Sequence, residues 1–308
     1  MEKRIAIIDL GSNSVRMTIN LLHDNGDWEV VIKKRSTVRL SEGMGIDGIL
    51  KEASMCRVIE ALKEFCTLAK LDSCQTIVAL ATAAVRNAVN RDAFIDRVWK
   101  ETGIRFDIIS GEDEAHYSFL AVTNSLSVKN GLVFDTGGGS TELIMIKNGN
   151  MVHSASIPLG AVTLTELMRG RSQAEMYRYV MLTLGTVDWI DEAVGLDLYG
   201  VGGSAKTLGT LSVKELKPRD ELHGLNIPCS KVATIYQKVY STPASLRQNI
   251  PGMEKSRADI ILAGLTPMKV LMDMLGSKKC VVCSHGVKEG VFFRVRDEIL
   301  KNEWSKLR

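Results

Sequence analysis

The sequence has no unbroken apolar run of the about 18 residues that a membrane-spanning helix needs. Its nearest approach, "IILAGLTPMKVLMDML", is interrupted by Thr266, Pro267, Lys269 and Asp273. No secretory leader is expected either. The opening "MEKR" runs straight into "IAIIDLG", too short for a signal core and without a small-residue cleavage site. These absences predict a cytoplasmic protein with no membrane partner. Excess charge is scarce too: 39 Lys and Arg against 36 Asp and Glu leave a net +3. That argues against nucleic acid as a partner, and any electropositive feature must be local. The six cysteines, at 56, 66, 74, 229, 280 and 283, are too sparse for a disulfide-stapled domain. Cys280 and Cys283 form a C-x-x-C, but no second pair completes a zinc site, and the valines between them read as a buried strand. No Pro- or Ser-rich linker divides the chain.

What is present is an ordinary globular composition, 45% hydrophobic and 24% charged. The length of 308 residues exceeds the size at which single cores stop growing, so two closely apposed domains are predicted. Strands are expected at Ile5 to Leu10, in "VRMTINLLHD", through "WEVVIKKRSTVRL", and in "TIVALATAAVRNA", which runs into a turn. Met55, Val58, Ile59, Leu62, Phe65, Cys66 and Ala69 fall at helical spacing across residues 52 to 70. A second helix is expected at 91 to 102. "FDIIS" reads as a short strand, and "GEDEAHYSFLAV" opens a helix with Ser110 and Asp113 in capping-box positions. Strands alternating with helices predict an α/β protein with mixed sheets.

One pattern occurs twice. "IAIIDLGSNS" and "GLVFDTGGGS" both read apolar strand, Asp, any residue, Gly, two residues, Ser; Asp9 matches Asp135, Gly11 matches Gly137, and Ser14 matches Ser140. Weaker echoes follow in "LYGVGGSAKTLG" and "CVVCSHGVKEG". Two matching turns, one in each half, predict a duplicated domain with a ligand held between the copies. The chemistry points to phosphate. Glycine lets successive backbone amides converge on an anion, while Ser12, Asn13, Ser14, Ser140 and Thr141 add side-chain donors. Phosphates brought together need a cation, and Asp9, Asp135 and Glu142 are candidate carboxylates for Mg²⁺, which takes one or two carboxylates plus waters and substrate oxygens. Mn²⁺ is the alternative. Hydrolysis needs a base, and the run Glu112-Asp113-Glu114 supplies one or else complements a helix dipole; spacing does not say which acid faces inward. Arg86 is placed either to clamp phosphate or to lie on the surface. Lys33, Lys34, Arg35 and Arg39 either line an entry path for a polyanion or protect a strand edge.

Taken in order, "AIIDLGSNSVRM", "ATAAVRNA", "IISGEDEA", "FDTGGGSTEL", "GVGGSAKTL" and "SHGVKEG" resemble the Ppx/GppA phosphatases, the exopolyphosphatases and guanosine pentaphosphate phosphohydrolases. The resemblance spans Asp9 to Gly290. It implies the actin-like (sugar kinase/Hsp70/actin ATPase) α/β fold, two related domains with an interdomain active-site cleft. We place them at 1–122 and 123–308, the last helix packing back on the first. It implies Glu114 as catalytic base, with Asp135 and Glu142 serving the magnesium site and the attacking water. Gly11, Ser12, Asn13, Ser14, Gly137, Gly138, Gly139 and Ser140 are the implied phosphate loops, joined by Arg86, Gly202, Gly203 and Ser204. A homodimer is implied as well. His285 and Lys288 depart from the Asp and Arg that many members carry there. The chain ends at Arg308 without the extra helical region of longer members, so short polyphosphate or a nucleotide is the expected preference. The function read from this is Mg²⁺-dependent release of orthophosphate from inorganic polyphosphate, with pppGpp as alternative substrate. An actin-fold small-metabolite kinase and a non-catalytic nucleotide switch are the other classes.

Overall fold

Each half of the chain begins with a strand that is apolar on both faces and ends in a glycine turn, and the two sheets grow outward from those strands. The computed structural model describes residues 2–45, 47–213, 219–301 and 303. It divides into two compact units: the chain up to Asp113 together with the segment from Val287 onward, and Glu114–Gly286. The expected boundary after residue 122 falls instead at the far end of the helix that begins at Gly111.

In the first unit β1 (Lys3–Leu10), β2 (Ser14–Leu22) and β3 (Trp28–Thr37) form an antiparallel meander. Helix α1 (Glu52–Leu71) leads to β4 (Thr76–Ala81), parallel to β1. After α2 (Ala83–Arg86) and α3 (Arg91–Thr102), β5 (Asp107–Ile108) pairs parallel with β4. The sheet order is β3-β2-β1-β4-β5. The α1 stripe is buried as its spacing predicts, with Val58, Ile59, Leu62, Phe65 and Ala69 inside and Met55 and Cys66 partly so. Two local details differ from the sequence reading. Residues after Ala81 coil into the single turn of α2. Strand β3 stops at Thr37 because the next amides turn aside: Val38 and Arg39 N–H both donate to the Asn13 carbonyl, at 3.1 and 3.0 Å, and Arg39 adopts φ 46°.

The second unit repeats the plan. Helix α4 (Gly111–Thr123) carries the capping box foreseen at its start: Asp113 N–H donates to Ser110 Oγ (3.0 Å) and Ser110 N–H to Asp113 Oδ2 (3.1 Å). Then β6 (Gly131–Thr136), β7 (Thr141–Lys147) and β8 (Asn150–Ile157) form a second antiparallel meander. Helices α5 (Ala161–Leu167) and α6 (Gln173–Leu184) lead to β9 (Leu198–Val201), parallel to β6. They are followed by α7 (Gly202–Ser212), β10 (Asn226–Pro228), α8 (Cys229–Ser241), α9 (Ile261–Leu275) and β11 (Lys279–Val282). Sheet order is β10-β11-β9-β6-β7-β8. Read from the β8 end, the meander and its parallel neighbour match the first sheet strand for strand, and β10 is an added edge. The fold is therefore α/β with two mixed sheets on one plan. Cys280 and Cys283 are buried at the end of this sheet, and burial pushes the Cys280 thiol up to about 12, so it stays protonated and inert.

The chain closes with α10 (Val287–Leu300), which packs on β1 and β2 of the first unit. Trp28 meets Phe292 and Phe293 there at ring-centroid distances of 4.9 and 5.4 Å. Among the described residues no helix is long and apolar enough to cross a membrane.

Candidate functional site

Strand β6 ends by delivering Asp135, and β7 brings Glu142 back directly opposite it. Between them the turn is closed by Gly137 N–H donating to Ser140 O at 2.9 Å. Its carbonyls are held from one side. Ala161 N–H donates to Gly137 O (2.9 Å), and Val162 and Thr163 N–H to Gly138 O (2.9 and 3.1 Å). In a planar trans peptide the N–H points opposite the C=O, so the Gly138 and Gly139 amides face away from α5. Neither donates to a backbone carbonyl among the described residues. That is a concave pair of donors suited to an anion. The approach of α5 depends on Gly160, where a Cβ would lie 2.3 Å from Gly138 C and O and from Gly139 N.

The first unit uses the same device with different parts. Gly11 N–H donates to Ser14 O at 3.1 Å, Ser41 N–H holds Ser12 O at 3.1 Å, and Val38 and Arg39 hold Asn13 O. The Asn13 and Ser14 amides therefore face away from residues 38–41. Ser12, Asn13 and Ser14 are buried, and Asn13 Nδ2 has no hydrogen-bond partner. Asp9, half-buried, lies opposite Arg16. Burial raises its pKa, Arg16 and Lys288 pull it down, and Glu289 adds to the rise. Arg86 Nη1 donates to Ile109 O at 2.8 Å, tying α2 to the exit of β5. Lys33, Lys34 and Arg35 are exposed on the edge strand β3, Lys34 paired with Glu64 at 3.3 Å.

Three carboxylates converge in the second unit. Glu142 is buried, and its Oε1 accepts hydrogen bonds from Ser140 Oγ (2.7 Å) and Ser156 Oγ (2.8 Å). Its pKa stands well above the usual glutamate range, first because of burial and then because of the charges on Glu114 and Asp135; the two hydroxyls only moderate the rise. Asp135 Oδ2 accepts from Ser118 Oγ at 2.8 Å. Beside its other oxygen, Gly202 adopts φ +81°, and a Cβ there would lie 2.5 Å from Asp135 Oδ1. Of the acidic run at the start of α4, Glu112 and Asp113 are exposed, whereas Glu114 is only 6% exposed. Glu114 is the inward acid that spacing left open.

The remaining sites divide. Ser140 and Thr141 hydroxyls, expected as anion donors, are committed to Glu142 and to Leu159 O (2.7 Å). Ser204 Oγ is buried without a hydrogen-bond partner on the side facing α9, where a Cβ at Gly264 would lie 2.3 Å from it. Gly203 lies under the buried Arg257 guanidinium, its absent Cβ falling 1.8 Å from Nη2. Arg257, Gly160, Ser118 and Ser156 were not singled out from the sequence. Each acts through a contact distant along the chain, and only the glycine before "AV" carried even a weak local signal.

The residues fit a hard divalent cation. Their ligand atoms are carboxylate oxygens, the missing Cβ at Gly202 leaves room beside Asp135 Oδ1, and a cation would relieve the repulsion that lifts the Glu142 pKa. Among the described residues no group of three or more His, Cys, Asp or Glu side chains is arranged to hold a metal by itself. A sparse site completed by water and substrate oxygens is what Mg²⁺ prefers. A stability test follows from the buried charge. Because the folded-state pKa of Glu142 is raised, its contribution to stability is fully present below the usual glutamate value and is lost as pH rises through the raised one. Glu142→Gln keeps the acceptor oxygen without the charge. Without metal, its melting temperature should exceed that of the wild type increasingly as pH rises, by about 2–4 °C for each kcal/mol relieved. A gap independent of pH between acid and neutral would contradict the assignment.

The sequence profile of the Ppx/GppA phosphatase family matches residues 21–298. The chain is 28% identical over 300 residues to the bifunctional 3-dehydroquinate synthase/phosphatase of Fusobacterium nucleatum, covering 90% of this chain but 44% of that protein. It is 26% identical over 308 residues to exopolyphosphatase 1 of Mycobacterium tuberculosis, covering 96% and 88%. It is 29% identical over 308 residues to the guanosine-5'-triphosphate,3'-diphosphate pyrophosphatase of Pseudoalteromonas translucida, covering 98% and 61%. The chain thus spans less than half of the first relative and less than two thirds of the third. A crystal structure of the Aquifex aeolicus Ppx/GppA family member matches with a TM-score of 0.80 at 28% identity, over 99% of this chain and 100% of that one. With two α/β units on one plan, each with a glycine turn between its first two strands, the chain belongs to the Ppx/GppA phosphatase family.

Proposed function

We propose that this protein is a Mg²⁺-dependent exopolyphosphatase, hydrolysing the terminal phosphoanhydride bond of inorganic polyphosphate and releasing orthophosphate. One observation carries the reading. A glycine turn with two amides facing away from α5 stands beside Glu142 and two further carboxylates, Glu114 and Asp135, close enough to raise its pKa. Donors for phosphoryl oxygens and carboxylates that take the proton of water are what hydrolysis of an anhydride requires.

In this reading the Gly138 and Gly139 amides bind equatorial oxygens of the terminal phosphoryl group, and the Asn13 and Ser14 amides are a second pair of donors for phosphate oxygens. Glu114 takes the proton from the attacking water, while Glu142, held by Ser140 and Ser156, orients that water. Asp135, steadied by Ser118 and given room by Gly202, holds the metal with Glu142, and Asp9 serves the first turn. Mg²⁺ when bound neutralises charge on the phosphate oxygens. The protein works as a homodimer.

A second reading is supported by the 29% identical pyrophosphatase relative. There the substrate is pppGpp, which loses its 5′-terminal phosphate by the same chemistry. The two are separated by measuring orthophosphate release from defined polyphosphates and from pppGpp, with Mg²⁺ and with EDTA. The first reading expects release from polyphosphate that EDTA abolishes and excess Mg²⁺ or Mn²⁺ restores. Release mainly from pppGpp transfers the function to the second reading; undiminished release in EDTA removes the metal. Silence on every substrate from folded protein overturns both.

A further inference from the structure

His223 belongs to no glycine motif, and the proposed chemistry leaves it unused. It precedes β10, where Gly224 N–H donates to Val282 O (2.8 Å) and Val282 N–H to Leu225 O (2.9 Å), so its backbone is held beside the end of β11. The ring bridges two separate segments. Nδ1 lies 3.2 Å from both the backbone nitrogen and the Oγ of Ser284, and Nε2 lies 3.0 Å from Ser125 O. These backbone partners fix the proton. An amide N–H can only donate, so Nδ1 accepts; a carbonyl can only accept, so Nε2 carries the hydrogen. The two backbone contacts select the neutral Nε2–H tautomer, with Ser284 Oγ a second partner beside Nδ1.

Both tethered segments lead to Asp135. Ser125 sits in the turn that ends α4, its Oγ donating to Ala121 O at 2.6 Å; α4 also carries Glu114 and Ser118, whose hydroxyl bonds Asp135 Oδ2. Ser284 starts the link that follows β11. Cys283 N–H donates to Gly200 O at 2.8 Å, and at Gly286 a Cβ would lie 3.1 Å from Val201 Cγ1 and 4.0 Å from Asp135 Oδ2. The same two segments touch again where Ser125 Oγ meets Cys283 Sγ at 3.6 Å. Among the described residues a few titratable groups lie near the ring. The His285 imidazole is tilted against it, 4.8 Å between centroids, the buried Cys283 thiol lies beside Ser125, and Asp135 lies beyond Gly286.

We propose that neutral His223 is a positioning residue for the Asp135 carboxylate, joining the end of α4 to the Ser284–Gly286 link. The proposal rests on the reading of Asp135 as part of the hydrolytic site.

The test uses the full chain with His223→Ala and His223→Asn. Asn offers an acceptor oxygen near the place of Nδ1 and cannot be protonated. His223→Ala should lower kcat for orthophosphate release about 10- to 100-fold, the scale of a misplaced reacting group, with KM little changed. His223→Asn should recover most of that loss. Equal kcat in all three proteins, or an Asn variant no better than Ala, would overturn the proposal. A readout independent of activity is the long-range ¹H–¹⁵N spectrum of histidine-labelled wild type. It should show His223 as the Nε2–H tautomer, with Nδ1 as acceptor. An Nδ1–H tautomer would overturn the clamp even if the hydrolase reading stands. If no substrate turns over, the hydrolase reading fails while the spectrum still decides the clamp.

Discussion

Glu114→Gln lowers orthophosphate release by about 10² to 10⁴-fold and leaves substrate binding nearly unchanged. Gln matches Glu in shape and keeps an oxygen and a polar nitrogen in the same buried place, so packing around the start of α4 is retained. What disappears is the group that, in the proposed mechanism, accepts the proton of water. The capping box of Ser110 and Asp113 does not involve the side chain at 114, so helix content should match the wild type and the melting temperature should not fall, and circular dichroism checks both beside the rate. Removing the Glu114 charge also withdraws one of the causes that raise the Glu142 pKa. A variant that turns over within about threefold of the wild type would move the base elsewhere; one that no longer binds substrate would give Glu114 a ground-state role instead.

Gly160→Ala damages both stability and rate. The Cβ would meet Gly138 C and O and Gly139 N, all at 2.3 Å. Every one of those atoms is backbone, so no flexible side chain can swing aside. Either α5 backs away, breaking the bonds that hold the Gly137 and Gly138 carbonyls, or the glycine turn shifts. Overpacking of this kind costs about 1–3 kcal/mol, and a displacement near 1 Å at a reacting group costs about 10²-fold in rate. Gly185→Ala is the control. It lies in the same unit at the end of α6, where a Cβ would meet Met181 O at 3.4 Å, an ordinary contact. Differential scanning calorimetry and initial rates on the two variants should separate cleanly. Equal behaviour would mean that the turn does not depend on its contact with α5.

The two turns were legible in the sequence because their signal is local: Asp, one residue, glycine, and a buried strand before and after. That pattern was enough to expect a duplicated α/β plan, and the strand-for-strand match of the two meanders bears out the duplication. Much of the second unit's helical layer was not read. Helix α9 is apolar around nearly its whole circumference and carries Pro267 inside it, so it shows neither amphipathic periodicity nor a clean boundary. The inward acid was hidden for a related reason. The buried face of α4 runs through Ala115, Ser118, Ala121 and Val122, small and polar residues that resemble its exposed face, so the phase leading to Glu114 was obscure. Gly160 and Arg257 act across contacts with Gly138, Gly139 and Gly203 that are far away along the chain, and no local pattern announces such partners. The same limit applies to Thr141, whose hydroxyl is claimed by the Leu159 carbonyl, while Ser140 turns to Glu142 two residues on.

The central claim is that water attacks the terminal phosphorus of a polyphosphate. Hydrolysis of a defined short polyphosphate in H₂¹⁸O, followed by mass spectrometry of both products, tests it most directly. The account predicts one solvent oxygen in each orthophosphate released and none in the shortened chain. Label in the shortened chain, or phosphate transferred to another acceptor without solvent oxygen, would contradict it.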